Sequence, residues 1–129
     1  MAYVKENRMN SSNSISRNGI LRKAESIING ERQGTYGDAE DSFKTIADMW
    51  SAYLNTEILS EDVANMMILM KVARNSSGVY KDDNWIDICG YAALGGEIQA
   101  AKNTNNMQFA DNERISSSNI NIDGLKGDK

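Results

Sequence analysis

Ser60-Glu61-Asp62-Val63-Ala64-Asn65-Met66-Met67-Ile68-Leu69-Met70-Lys71-Val72-Ala73-Arg74-Asn75 decides the fold. Val63, Met66, Met67, Met70 and Val72 put apolar groups on most sides of a 3.6-residue period, which predicts a central helix over residues 60–75. Ser60 stands as its N-cap. Glu61 and Asp62 fall in the first turn and Lys71 and Arg74 near the last, so the charges run with the helix dipole. A lone four-helix domain buries such a helix poorly, so a homo-oligomer sharing it is expected.

Three more helical patterns flank this one. Residues 82–102 carry Trp85, Ile88, Cys89, Ala92, Leu94 and Ile98 on one face, interrupted by Gly90, Gly95 and Gly96. Each glycine costs a helix about 1 kcal/mol relative to alanine. Three of them predict either the close approach of another backbone or a ligand, or a kink at Gly95-Gly96. Residues 38–55 carry Phe43, Ile46, Ala47, Trp50, Tyr53 and Leu54, with Asp38 as N-cap and Glu40 and Asp41 behind it. Residues 16–29 carry Ile20, Leu21, Ala24, Ile27 and Ile28, with Ser16 as N-cap and Gly30 as a left-handed C′ residue. The chain has no proline and only 7% aromatic residues, which suits helices better than a sheet. The expected fold class is all-α, a four-helix bundle-like domain over residues 16–103. Polar segments rich in Asn and Ser precede it (1–15) and follow it (104–129), and both are expected to be flexible or disordered.

Composition excludes several chemistries. The 129 residues include no histidine and a single cysteine, Cys89. That rules out an internal disulfide, a His- or Cys-based zinc site and an imidazole base. Any metal would need carboxylates, which favours magnesium or manganese. The net charge of −4 argues against a protein that coats long nucleic acids. No apolar run approaches the roughly 20 residues that span a bilayer, and no signal peptide is visible. A cytoplasmic location without membrane contact is expected.

Three groups of residues could carry chemistry. The connection Gly30-Glu31-Arg32-Gln33-Gly34-Thr35-Tyr36-Gly37-Asp38 is glycine-rich and leads into a helix N-terminus, a combination that suits an anion. Arg32 can grip a phosphate with two parallel hydrogen bonds, and Tyr36 can stack on a base or bond a ribose or phosphate oxygen. A plain helix connection turned by Gly37 and Asp38 is the alternative. Lys71 and Arg74 share one helix face. The ammonium of Lys71 is placed at the edge of the core, whereas a favourable place at a helix C-terminus already accounts for Arg74. In Asp82-Asp83-Asn84-Trp85-Ile86-Asp87-Ile88-Cys89-Gly90-Tyr91, Asp83 and Asp87 stand four apart, and Gly90 and Tyr91 continue their face. Such carboxylates can hold a divalent cation, pair with a cation or bond a sugar or base. Asp82 and Asp83 can be explained as caps. Asp87, between Ile86 and Ile88, is expected to turn inward and to find Lys71, Arg74 or Arg32. Glu40 and Asp41 serve either the helix dipole or a metal, and Cys89 is expected to be a small core residue.

The order Arg32-x-x-x-Tyr36-Gly37-Asp38, Phe43, Trp50, Met66-Met67-x-x-Met70-Lys71-x-x-Arg74, Asp82-Asp83-Asn84-Trp85-x-Asp87-x-x-Gly90-Tyr91 resembles a family of small phage and prophage proteins known only as a domain of unknown function. The likeness covers residues 20–101. That family is in turn similar to the MazG-like all-α nucleoside triphosphate pyrophosphohydrolases, usually oligomeric helical bundles that hold magnesium on carboxylates of two helices. Those enzymes carry E-E-x-x-E on one helix and E-x-x-D on the next. This chain has neither in full, and Glu40-Asp41 and Asp83-x-x-x-Asp87 come nearest. The resemblance implies a nucleotide-sized site in which Arg32, Thr35, Tyr36, Lys71 and Arg74 face phosphate and Asp83, Asp87 and Tyr91 face sugar or base. The expected function is capture of a phosphorylated nucleotide, such as a bacterial immune signal, with no cofactor required. The alternatives are a magnesium-dependent pyrophosphohydrolase, with Glu40, Asp83 and Asp87 as metal ligands, and a helical module that serves structure or interaction only.

Overall fold

The computed structural model describes residues 14–30 and 39–123. The described residues form four helices and no strand: α1 (Arg17–Asn29), α2 (Ala39–Leu54), α3 (Ser60–Asn75) and α4 (Asp82–Asp123). α3 packs against both α2 and α4, and α1 packs against α4. The all-α expectation holds.

The helix ends follow from local chemistry. The Ser16 hydroxyl accepts from the Gly19 amide at 3.1 Å, as an N-cap should. Gly30 is not left-handed, having φ −100°. Its glycine is required for another reason, since a Cβ there would run into the Ser26 carbonyl oxygen. α2 stops where Asn55 turns left-handed at φ 51°, a conformation asparagine tolerates. The Thr56 amide then reaches back to the Ser51 carbonyl at 3.2 Å, the 6→1 bond of a Schellman motif. The Ser51 hydroxyl holds the next connection by accepting from the Ile58 amide at 2.8 Å and donating to its carbonyl at 3.2 Å. Ser60 is the first helical residue of α3 and not its cap. Leu59 occupies that position, and its amide donates to the Asp62 carboxylate at 2.9 Å.

Phe43 and Ala47 of α2, Val63 and Ala64 of α3 and Ile98 of α4 form the buried core, with Ile46, Trp50, Ile58, Met67, Tyr91 and Leu94 packed against it. α3 is less covered than its composition suggests. Leu69, Met70 and Val72 are exposed, as is Trp85 on α4.

The glycines of α4 separate the two explanations the sequence leaves open. α4 runs unbroken through them. A Cβ on Gly95 would stand 2.7 Å from Ala64 Cβ, and one on Gly90 would stand 3.3 Å from Ile28 Cγ2. These two positions let α3 and α1 approach closely. Gly96 meets nothing within 4 Å. Gly96→Ala should therefore raise stability by about 1 kcal/mol through helix propensity alone, visible as a higher melting temperature.

α4 also corrects an expectation about the tail. The helix expected to end near residue 102 continues to Asp123, 42 residues in all. No proline or glycine interrupts residues 97–123, and Gly124 follows directly. At 1.5 Å per residue α4 spans about 63 Å, while the 16-residue α2 and α3 each span about 24 Å. Its second half outruns the bundle, and every side chain from Gln99 to Ser118 is exposed. The flexible segments expected at residues 1–13 and 124–129 lie outside the described residues.

Three pairs fix α3 and α4 as antiparallel neighbours: Glu61 with Lys102, Ala64 with Gly95, and Lys71 with Asp87. The outermost pair joins Lys102 Nζ to Glu61 Oε1 at 2.9 Å. This hydrogen bond holds the Glu61 carboxyl below its ordinary 4.5. A carboxyl lowered in the folded state stabilises above its unfolded value and loses that contribution as pH falls through the folded one. Glu61→Gln should lower stability slightly at neutral pH, by well under about 1 kcal/mol because Lys102 is half in water, and should flatten the stability curve below about pH 4.5, where the two proteins converge. Urea midpoints measured at several acidic pH values check this.

Candidate functional site

Lys71 and Asp87 carry the most unusual chemistry in the bundle. Lys71 belongs to the second half of α3, behind Met67, and follows a stretch of apolar residues whose stripe carries it inward. It is 8% exposed. Asp87 sits in the second turn of α4 between Ile86 and Ile88. The antiparallel register brings them together at 2.6 Å, with side chains 11% and 20% exposed. The expectation that Asp87 turns inward and meets a cation is met by Lys71.

Around this pair the sequence-predicted residues divide. Tyr91, one turn past Asp87, is half-buried, and its ring lies 6.4 Å from Phe43 with the planes tilted by 38°. Asp87, Gly90 and Tyr91 line a narrow crevice against Ala24, Ile27 and Ile28 of α1. Arg74 follows Lys71 by three residues but is exposed, and so is Asp83. Arg32, Thr35 and Tyr36 lie outside the described residues, together with Asp38. Close by, the exposed Tyr80 phenol is pushed up by its hydrogen bond to Asp82.

The metal set does not assemble. Among the described residues no group of three or more Asp, Glu or Cys side chains comes close enough to hold an ion. Glu40 instead lines a separate open groove with Lys44, Asp48, Glu61 and Lys102, at the start of α2 and α3. Lys44 and Asp48 form an exposed pair there at 2.8 Å. Among the described residues Glu40, Asp83 and Asp87 therefore do not gather as a magnesium site.

Asn84 has no role in the sequence reading, yet it is only 5% exposed. Its spacing was the available signal: it precedes Asp87 by three residues and Tyr91 by seven, which puts all three on one helix face.

A family model described as a domain of unknown function, DUF6378, matches residues 19–99. The chain belongs to that family. The match takes in α1, α2, α3 and the bundled half of α4, and leaves out the projecting half. The Gene 55 protein of Mycobacterium phage L5 is 47% identical over 81 residues, covering 62% of this chain and 52% of that protein. The Gene 55 protein of Mycobacterium phage D29 is 48% identical over 73 residues, covering 57% and 48%. The chain thus spans about half the length of the curated relatives it matches. It is a phage-type domain of unknown function, and no solved structure matches it. Among the described residues no helix is long and apolar enough to cross a membrane.

Proposed function

We propose that this domain binds a phosphorylated nucleotide where α3 and α4 meet at Lys71 and Asp87, and holds it without turning it over. One observation carries the reading. Lys71 and Asp87 are withdrawn from water on facing helices. Removing two charges from water costs about as much as their attraction returns, so an apolar pair would serve stability as well or better. A site that needs a positioned ammonium explains why the charges are kept. Lys71 supplies the charge for phosphate, Asp87 holds it in place, and Arg74 stands free in solvent one turn on to reach a second phosphate oxygen. Tyr91 and the crevice beside it offer an apolar wall at the same point. The crevice is too narrow to enclose a nucleotide, so the ligand lies across its mouth.

In a phage-type protein this binding has a use on the present proposal, the removal of a nucleotide signal raised by a bacterial defence system. Exposed Leu69, Met70 and Val72 on α3 support assembly of copies of the chain.

The experiment is a thermal-shift panel of linear and cyclic nucleotides, with and without magnesium, followed by chromatography of each nucleotide. A ligand present at a hundred times its dissociation constant should raise the melting point by about 10 °C without metal and be recovered intact. Magnesium-dependent release of pyrophosphate would replace this reading with the hydrolase. No shift with any nucleotide would leave the pair as a structural pin, a reading its mutual satisfaction also supports.

A further inference from the structure

We propose that the open face of the α3–α4 pair is a two-fold interface on which a second copy of this chain docks. It rests on the assembly of copies named above and needs no nucleotide. On α4, Ile86, Gly90 and Leu94 turn toward α1, and Asp87, Gly95 and Lys102 turn toward α3. On α3, Ala64 and Lys71 turn toward α4, and Val63 and Met67 join the core that α2 completes. Tyr91 meets Phe43 of α2 and lines the crevice with α1, so both flanking helices lie on one side of the pair. The helical period leaves one arc of each helix uncovered, with Leu69 and Val72 on α3 and Trp85, Ile88, Ala92 and Gly96 on α4. Because α3 and α4 run antiparallel, the two arcs fall on the same side of the seam. They form one face, turned away from α1 and α2.

The face is apolar and bears no charge. Leu69 is 64% exposed and Trp85 48%, and large apolar side chains gathered in the open mark an interaction site. Between Val63 and Asn75 the charged residues are Lys71 and Arg74, and between Trp85 and Gln99 they are Asp87 and Glu97. The helical period turns all four onto other arcs. A face without charge has nothing to pair with a charged partner, and charge is depleted in the same way at the centre of homodimer interfaces. A second copy brings the same uncharged surface. The relief is also self-complementary. Trp85 and Leu69 stand out from the face, while Ala92 and Gly96 lie low on it, and Gly96 meets nothing within 4 Å in its own chain. A two-fold axis passing α4 at Cys89 lays the Trp85 ring of each copy between Ala92 and Gly96 of the other.

The size fits as well. The face is about 24 Å long, the length of the 16-residue α3, and two helices or about 20 Å wide. That outline of about 500 Å², enlarged by side-chain relief, approaches the roughly 800 Å² that each partner gives to a standard interface.

The test is analytical ultracentrifugation of the full chain without nucleotide, read beside tryptophan fluorescence, for the unmodified protein, Leu69→Glu and Ala92→Glu. The unmodified chain should sediment as a dimer, at twice its 14.3 kDa. Its emission should move to the red on dilution as Trp85 returns to water, while Trp50, packed against the core, gives a constant background. Each variant sets one carboxylate on the face, from α3 or from α4, where docking would bury it unpaired. Each should raise the dissociation constant by at least about thirtyfold and show red-shifted emission where the unmodified protein is dimeric. Both positions are exposed within one chain, so helical circular dichroism should stay the same, and if one variant does not fold the other carries the test. A monomer at millimolar concentration overturns the face and the assembly together. A dimer that survives both substitutions overturns this face and leaves assembly through another surface. Nucleotide binding is untouched by either result, because the nucleotide panel measures it separately.

Discussion

Lys71→Ala is expected to destabilise the domain by about 3 kcal/mol, a large share of the roughly 5–15 kcal/mol that holds a domain folded. The loss comes less from the missing attraction than from what remains. Asp87 keeps its charge in a place where its side chain is 20% exposed and its partner at 2.6 Å is gone. The alanine also removes the lysine stem that packs along the α3–α4 seam. The double variant Lys71→Met/Asp87→Leu should recover most of the loss, because it fills the same space without a charge. Urea unfolding of the two variants separates the contributions: a low midpoint for the single variant and a near-normal one for the double is the expected pair of results. Equal stability of Lys71→Ala and the unmodified chain would mean that water reaches the pair freely. The double variant is then the proper reagent for binding, since it keeps the fold while removing the ammonium. Under the proposed function it should show no thermal shift with any nucleotide that shifts the unmodified protein.

Much of the bundle was legible because the deciding residues act locally. Ser16 caps α1 as its side chain dictates, and the apolar spacing of residues 60–75 marks a helix whatever surrounds it. The Lys71–Asp87 pair was legible for a related reason: a charge in mid-helix between apolar neighbours has few places to go. Other features depend on neighbours the sequence does not name. Ser60 looks like a cap, but the cap position falls to Leu59 because Asp62 can serve the Leu59 amide. The continuation of α4 left no periodic trace, since a helix that packs on nothing has no face to mark, and only the lack of proline and glycine hinted at it. Trp85 reads as a core residue by hydrophobicity, yet it is 48% exposed, because Asn84 and Ile86 on either side of it take the inward directions. Asn84 escaped notice because a polar residue near a helix start is ordinarily a wet one. Its burial comes from the register of α3 against α4, a property of two helices that neither shows alone.

That register has its own test at Gly95, where Gly95→Leu should cost about 3 kcal/mol, the upper part of the range for overfilling a packed seam. The Cβ alone would stand 2.7 Å from Ala64 Cβ, closer than two carbon atoms can pack. Both atoms are rigidly tied to helix backbones, so neither can move aside as the end of a flexible side chain could. The helices must separate, and the separation spreads along the seam to Val63 and Ile98 in one direction and to Lys71–Asp87 in the other. Gly95→Ala meets the same first contact without the further bulk of leucine, and the roughly 1 kcal/mol of helix propensity it gains offsets more of the smaller strain, so its net loss should be about half as large. The ratio matters more than either value. If Gly95→Ala stabilises the protein as Gly96→Ala is expected to, the two helices are not in contact at this point, and the register that pairs Lys71 with Asp87 is wrong. If Gly95→Leu unfolds at lower urea and nucleotide affinity falls with it, the seam and the binding site are one structure. The close approach of α3 and α4 is then what brings the ammonium and the carboxylate together.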